Sequence, residues 1–212
     1  FRLAGYRPVI LTDYDRWMNA YYCEIGVQEH LYWDDCFRQV PMAEAVQLMA
    51  SIGSFEQLIK ADYCGARVGK YAASTVLRHL RVGRLDLSAR TVRDALLPFL
   101  HRAMCYAKTA EGIVETLRPQ LVLSVDTGYS PRGELFDLCL AAGIDTITWN
   151  AAHRNNQLML KRYSRGNREV HPASLSASTW SELQAKPWTE ADRNLLRREL
   201  VGSYTSGEWY SE

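Results

Sequence analysis

The first candidate for chemistry is a polar loop that follows a short apolar run. It contains Asp126, Gly128 and Tyr129 within the sequence VDTGYSPRGELF. Gly128 and Gly133 have the spacing of a phosphate-binding P-loop, but Glu134 stands where a P-loop requires lysine. A carboxylate in the first turn of a helix would repel a phosphate. The sequence therefore argues against a nucleotide-triphosphate site, and it also lacks the GxGxxG fingerprint of dinucleotide-binding proteins.

A second polar group follows the next apolar run of the chain. It consists of Asn150, His153, Arg154, Asn155 and Asn156. If both runs are parallel strands, their carboxyl ends lie on one edge of a sheet, where open α/β proteins bind ligands. The two groups together would suit a polyhydroxylated ligand. The alternative is that Asp126 caps its own loop and that the second group is a solvated turn.

The elements that position these groups are read from hydrophobic patterning. Residues 120–126 form a continuous apolar run, which predicts a strand buried on both faces. Residues 133–142 predict a helix that ends at Gly143, and residues 144–150 predict the next strand. Strand, helix and strand of these lengths form a βαβ unit with parallel strands. A further short strand is predicted over 158–163.

Helices are predicted on both sides of this unit. Pro41 suits a helix start, and Ser88 is a candidate N-cap for a long helix that contains Pro98. The proline should kink that helix or mark its true start. Ser178 and Thr189 are candidate N-caps of two C-terminal helices.

The whole pattern predicts a helix-rich α/β fold with a Rossmann-like parallel sheet flanked by helices. We expect three parts along the chain. They are an aromatic-rich, helical N-terminal part at 1–60, the α/β core at 61–178 and the C-terminal helices at 179–212.

Composition excludes several classes of protein. Apolar residues make up 47% of the 212 residues and charged residues 23%, which is the mix of an ordered globular chain. The net charge of +1 gives no field that would draw the chain onto nucleic acid, so we expect no such partner. No apolar run reaches the roughly 20 residues that span a bilayer. The absence of a secretory signal and the five cysteines without a CxxC pair favour a cytoplasmic setting with thiols that serve packing.

The remaining histidines, serines and basic residues give little support for a metal site or a hydrolase triad, and they leave a phosphate-binding surface open. The histidines are scattered and there is no GxSxG motif, so we expect neither a metal site nor a serine-hydrolase triad. Basic residues cluster at Arg154, Lys161, Arg162, Arg165 and Arg168. This cluster could meet a phosphate-bearing substrate or a membrane surface, or it could be a solvated face.

Three segments resemble the N-terminal half of bacterial surface-polysaccharide glycosyltransferases: YCGARVGKYAASTVLRHL, LRPQLVLSVDTGYSPRGELFDLCLAAGIDTITWNAAHRNN and HPASLSASTWSELQAKPWTEADRNLLRRELVGSYTSGEW. These are capsule and lipopolysaccharide biosynthesis enzymes with two Rossmann-like domains, the GT-B architecture. The resemblance covers about residues 60–209. It rests on the order of elements and on small signatures, D-x-G-Y and Y-x-S-G-x-W, and not on a catalytic motif.

The resemblance implies an acceptor-side domain that faces a glycan or lipid-linked acceptor, with peripheral contact at the inner face of the membrane. The donor, a nucleotide sugar, would be held by a C-terminal domain outside this chain, so no cofactor is expected on these residues. Asp126 or His153 would be the general base, and Asp126 ranks first because a strand end holds it rigidly. Substrate binding would fall to Gly128, Tyr129, Asn150, Arg154, Asn155, Asn156 and Tyr204.

Two alternatives remain open at this point. The chain could be a non-catalytic, Rossmann-like module that binds a small ligand or a partner protein. A self-sufficient α/β enzyme is the weaker alternative, because no nucleophile or cofactor fingerprint is recognisable. The chain starts without an initiator methionine, so we expect it to be part of a longer protein.

Overall fold

The structure is a computed structural model that describes residues 4–152 and 157–205. It is an α/β chain in which helices predominate over two small sheets. In chain order the elements are β1 (Val9–Thr12), α1 (Arg16–Glu24), β2 (Glu29–Tyr32), α2 (Trp33–Cys36), α3 (Met42–Ala50), α4 (Phe55–Lys60), α5 (Val68–Leu80), α6 (Arg90–Leu117), β3 (Leu121–Ser124), α7 (Arg132–Ala141), β4 (Asp145–Ala151), β5 (Leu158–Tyr163), a 3-10 turn (Arg165–Asn167), α8 (Ala177–Ala185) and α9 (Glu190–Thr205).

The main hydrophobic core lies among helices α3 to α6. Leu58, Val76, Leu96 and Leu100 are fully buried there. Helices α4 and α5 approach so closely that a Cβ on Gly69 would lie 1.9 Å from the carbonyl oxygen of Leu58. The core of the protein is therefore built by helices, and the sheets are attached to it.

Helix starts follow local side-chain chemistry. Ser54 and Gln57 form a reciprocal capping box at the start of α4. The predicted cap of α9 is confirmed, since Thr189 Oγ1 accepts the Asp192 N–H at 3.2 Å. The predicted cap of α8 at Ser178 is wrong by two residues, because Ser176 is the N-cap and accepts the N–H of Thr179.

The predicted long helix is confirmed as α6, with two differences. Its N-cap is Ala89, because Ser88 bonds to the Asp86 carboxylate instead. Pro98 lies inside one continuous helix and is not its start. A proline in the helix interior lacks the N–H that would bond back to the preceding turn, and packing of α6 into the core offsets that loss.

The predicted βαβ unit is confirmed. Strands β3 and β4 pair in parallel, with Leu121 opposite Asp145 and Ser124 opposite Thr148. Helix α7 connects them and ends before Gly143, whose φ of +73° is the left-handed conformation expected of a residue after a helix. A second small parallel pair, β1 with β2, lies near the N-terminus.

The larger flanked parallel sheet is not found in the residues described. Strand β5 forms where it was predicted, but it pairs antiparallel to β4, with Thr146 opposite Tyr163. The result is a three-stranded mixed sheet in the order β3-β4-β5. The physical reason is the short connection from Ala151 to Leu158. A parallel crossover needs about a dozen residues or more, so a short connection returns as a hairpin.

Within residues 4–152 and 157–205, one face of this sheet is covered and the other is open. Helix α7 packs on it through Phe136 and Leu140, which contact Tyr163. The other face exposes Leu123 to 44%, Leu158 to 61% and Leu160 to 65%. The prediction that the first strand of the unit is buried on both faces is therefore wrong, because no described helix packs on the outer face.

The terminal regions are more exposed than the core. Helices α8 and α9 contain no buried residue. Near the N-terminus, Tyr14 and Trp17 are 71% and 85% exposed. Among the helices described, none is both long and apolar enough to cross a membrane.

The five cysteines are free thiols. The interpretation that they serve packing is confirmed for Cys105 and Cys139, which are buried. It is wrong for Cys23, which is exposed on α1.

Candidate functional site

The strand-end edge is the first part of the candidate site. Because Ser124 pairs in parallel with Thr148, the loop after β3 and the end of β4 lie on the same edge of the sheet. The structure thus brings Asp126 and Gly128 to the edge of the sheet at which β4 ends, one residue after Asn150. Asn150 itself lies within the strand, opposite Met159 on β5. This is the arrangement expected of a ligand-binding edge in an α/β protein.

Four predicted site residues cannot be placed on this edge. His153, Arg154, Asn155 and Asn156 lie outside the described residues. They follow Ala152, whose N–H donates to the carbonyl oxygen of Gln157 at 3.0 Å. The connection between β4 and β5 therefore starts and ends at the same edge as Asn150.

Asp126 is oriented by its own loop. Its Oδ1 accepts the backbone N–H of Gly128 at 2.8 Å, and the side chain is exposed. This contact is the loop cap that the sequence offers as the alternative to a catalytic role. It also fixes the direction of the carboxylate at the strand end, which a general base requires.

The two predicted tyrosines lie in different surroundings. Tyr129 is half-buried, and its ring lies under the guanidinium of Arg78 on α5, 4.9 Å from the ring centroid. Tyr204 lies in the last turn of α9 and is 79% exposed. Tyr129 belongs to the strand-end loop itself, and its contact with Arg78 connects that loop to α5.

Directly behind the loop lies a buried acid that the sequence interpretation assigned only to the helix dipole. Glu134, in the first turn of α7, is fully buried, and the hydroxyl of Ser130 donates to its Oε1. Its Oε2 has no hydrogen-bond partner among the described residues. Burial raises the pKa of Glu134 to about 8, although the bond from Ser130 acts in the opposite direction. Glu134 is therefore largely protonated at neutral pH.

One turn further along α7, Asp137 is the centre of a buried ion-pair network. Its Oδ2 accepts the backbone N–H of Arg67 at 2.9 Å and forms an ion pair with the guanidinium of Arg168. Tyr71 is also fully buried beside it, and burial raises the pKa of the phenol well above its usual range, with Asp137 adding to that effect. The network connects α5, α7 and the segment after β5.

Tyr71 is also the reason for the glycine at the start of α7. A Cβ on Gly133 would lie 2.3 Å from the Tyr71 ring. By its spacing from Gly128, Gly133 matches the second glycine of a phosphate loop, and Glu134 follows it. In the structure, the glycine admits an aromatic ring and the glutamate enters the interior beside Ser130.

The predicted basic cluster is largely used for internal contacts. Lys161 donates to the carbonyl oxygens of His171 and Ser174 at 2.8 and 2.7 Å. Arg162 pairs with a carboxylate in β4, and Arg165 donates to the last carbonyls of α7. These contacts favour the interpretation as a structural face over a phosphate-binding surface.

Sequence reasoning missed the buried network, although one signal was present. Glu134 and Asp137 lie three residues apart, on the helix face that carries Gly133 and the buried Leu138. Acidic residues on the apolar face of a helix require partners. The partners of Asp137, which are Arg67 and Arg168, lie in distant parts of the chain and leave no local signal.

Comparisons and metal geometry add no further assignment. In residues 4–152 and 157–205, no three His, Cys, Asp or Glu side chains come together in a way that could hold a metal ion. Comparison of this chain with protein-family models, with curated proteins and with solved structures finds no match.

Proposed function

We propose that this chain is the acceptor-side, Rossmann-like domain of a GT-B glycosyltransferase. The enzyme would transfer a sugar from a nucleotide sugar to a surface-polysaccharide acceptor. The observation that supports this proposal most directly is the parallel pairing of β3 and β4, which puts the loop with Asp126 and the end of β4 on one edge. Carboxylate, phenol and amide groups on such an edge suit a ligand rich in hydroxyl groups.

In this proposal Asp126 is the general base. It removes the proton of an acceptor hydroxyl as the new glycosidic bond forms and the nucleotide diphosphate leaves. Tyr129 and Asn150 would hold neighbouring hydroxyl groups by hydrogen bonds. The donor would be bound by a second domain, and a lipid-linked acceptor would bring the enzyme to the cytoplasmic face of the membrane.

The test compares Asp126 with an aspartate that caps its loop in the same way. Asp86 Oδ1 accepts the backbone N–H of Ser88 at 2.9 Å, so Asp86→Asn reproduces the loss of a charged loop cap elsewhere. In the complete enzyme, Asp126→Asn should reduce transfer by about 10²-fold or more, the usual contribution of a general base. Asp86→Asn should leave transfer unchanged. The assay is release of nucleoside diphosphate from a panel of nucleotide sugars.

A second measurement tests the division of labour between domains. Residues 1–212 alone should show chemical-shift changes near residues 124–130 and 148–152 when titrated with surface-polysaccharide oligosaccharides, and should turn over no nucleotide sugar. Turnover by this chain alone would contradict an acceptor-only role. If Asp126→Asn transfers sugar at the unaltered rate, Asp126 is not the general base and only caps its loop.

The alternative function is a non-catalytic, Rossmann-like module that binds a ligand or partner. The uncovered sheet face with Leu123, Leu158 and Leu160 favours it, because exposed apolar patches often mark binding surfaces. In that case the strand-end edge would still bind polar ligands. No nucleotide sugar would be consumed by the complete protein, and Asp126→Asn would change only affinity.

A further inference from the structure

A pair of cations lies on the outer side of the buried network, at the start of α5. Arg67 is the N-cap residue of α5, and Lys70 lies in its first turn. Both hold the carboxylate of Glu169, from the segment after the 3-10 turn. Arg67 Nη1 donates to Oε1, and Lys70 Nζ donates to Oε2 at 3.3 Å. Each oxygen of one carboxylate thus contacts a different cation.

Arg67 is fixed from behind by the buried network. Its Nε lies 3.8 Å from Oδ2 of Asp137, a carboxylate with no exposed surface. The backbone N–H of Arg67 donates to the same oxygen at 2.9 Å. The side chain is only 19% exposed, so the guanidinium is held with Nη1 directed at Glu169. A cation that is already ordered loses little conformational entropy when it binds an anion.

The local charges leave a positive excess at this point. The carboxylate of Asp137 forms a close ion pair with Arg168, and these two charges offset each other. Arg67 also lies 3.8 Å from the Asp137 carboxylate. Counted together, the three cations Arg67, Lys70 and Arg168 face two carboxylates, which leaves one positive charge in excess. A phosphate monoester carries about −1.5 to −2 charges near neutral pH. It therefore matches Arg67 and Lys70 better than a carboxylate does.

The side chain of Glu169 can move away from Arg67 and Lys70 without disturbing the fold. Its side chain is 65% exposed, and it lies outside the helices and strands. Exposed ion pairs between long side chains contribute little to stability. Partial burial alone would raise the pKa of Glu169, but Lys70 and Arg67 outweigh that effect and the net direction is downward. Glu169 thus remains an anion that an incoming ligand must displace.

We propose that Arg67 and Lys70 form a binding site for the phosphate group of a ligand, and that Glu169 occupies this site as a built-in competitor. The phosphate could belong to a soluble phosphate monoester or to a lipid with a phosphomonoester headgroup, such as phosphatidic acid, since both present the same terminal phosphate. This inference does not depend on whether the strand-end edge binds an acceptor. Its failure and that of the transferase proposal can therefore be told apart.

The test measures binding of inorganic pyrophosphate to the 212-residue chain by calorimetry and by the amide resonances of residues 67–71 and 169. Glu169→Gln should bind about fivefold more tightly than the unaltered chain, because the competitor is removed. Lys70→Gln should bind about fivefold more weakly, since one of two cations is lost. Lys70 is chosen because its side chain is 38% exposed and lies outside the buried network, so the fold should persist.

An ion pair elsewhere supplies matched controls. Lys108 pairs with Glu111 on α6 with a similar exposure of the lysine. Lys108→Gln and Glu111→Gln should each change pyrophosphate affinity less than twofold. The proposal is overturned if Glu169→Gln binds no more tightly than the unaltered chain, or if Lys70→Gln changes affinity no more than Lys108→Gln does.

A second experiment distinguishes a lipid headgroup from a soluble phosphate ester as the ligand. Sedimentation with phosphatidylcholine vesicles that contain phosphatidic acid is compared with sedimentation with phosphatidylcholine alone. A lipid headgroup is the ligand if three results hold together. The unaltered chain binds the acidic vesicles, Lys70→Gln abolishes this binding, and Glu169→Gln strengthens it. If pyrophosphate binds and the vesicles do not, the site takes a soluble phosphate ester. If neither probe binds to Glu169→Gln, the phosphate site does not exist.

Discussion

At the scale of single residues, the two acids of α7 differ in what surrounds them. Asp137 is paired with arginines, so its negative charge is offset within the interior. The carboxyl group of Glu134 accepts from the hydroxyl of Ser130 and pairs with no described cation, and burial raises its pKa to about 8. The two residues are three positions apart and equally buried. Their difference arises from residues distant in the chain.

The raised pKa of Glu134 predicts a specific pH dependence of stability. An unfolded glutamate titrates near 4.5, whereas the folded one titrates near 8. Between these values the folded chain holds a proton that the unfolded chain has lost. Stability is therefore greatest below pH 4.5 as far as this group is concerned, and falls as pH rises towards 8. The expected slope is about 1.4 kcal/mol per pH unit.

Glu134→Gln isolates this contribution. Glutamine keeps an oxygen for Ser130 and has no proton to lose. The free energy of unfolding of the variant minus that of the unaltered chain should rise by about 1.4 kcal/mol for each pH unit between 5 and 8, measured by urea unfolding. Glu115→Gln, at an exposed position of α6, is the control and should show no such trend. Parallel curves for Glu134→Gln and the unaltered chain would show that Glu134 is ionised in the folded state.

At the scale of elements, α5 and α7 form an antiparallel pair that supports the strand-end loop. Arg67 contacts Asp137, and Arg78, at the other end of α5, lies over Tyr129. Between these contacts, Tyr71 packs against Gly133. The position of the loop with Asp126 therefore depends on how closely these two helices approach.

Gly133→Ala tests this close approach. The added Cβ would lie 2.3 Å from the Tyr71 ring, so α7 or the ring must move. We expect a loss of stability of about 1–3 kcal/mol, as for other overpacked positions. Gly202→Ala in α9 is the matched helical control, because nothing lies within 4 Å of its added Cβ. It should gain up to about 1 kcal/mol from helix propensity. Equal effects of the two substitutions in urea unfolding would contradict the packing of Tyr71 on Gly133.

Element prediction from sequence succeeded where the signals are local. The helix that ends before Gly143, the strand over Leu158–Tyr163 and the cap at Thr189 each depend on residues within a few positions of one another. The cap at Ser178 was wrong because Ser174, Ser176 and Ser178 alternate in that stretch and each is a residue type favoured at an N-cap. The burial of the first strand was wrong because it depends on what covers the sheet.

At the scale of the whole molecule, the helical layer and the sheet have different roles. The main core consists of side chains from α3 to α6. The mixed sheet has one face on α7 and one face open. The sheet therefore carries the strand-end groups, while helices supply most of the buried apolar area.

Two leucine substitutions test this division. Leu100 is fully buried in α6, and Leu100→Ala should cost about 2–5 kcal/mol of stability because it leaves a cavity. Leu160 is 65% exposed on β5, and Leu160→Ala should cost less than about 0.5 kcal/mol. Urea unfolding at a single protein concentration gives both values. A cost for Leu160→Ala close to that for Leu100→Ala would mean that the outer sheet face is covered in solution.

The sequence alone determined the order of elements after Ser88, the parallel βαβ unit and the edge on which Asp126 and Asn150 lie. It also excluded a P-loop, because Glu134 stands in place of the required lysine. These conclusions depend on periodicity and on neighbouring residues, which a single sequence displays. Only the tertiary structure decided that the sheet is mixed, that Glu134 is buried, and that Arg67 contacts both Asp137 and Glu169 across 70 and 102 positions. Such contacts depend on how helices pack, and no local pattern encodes them.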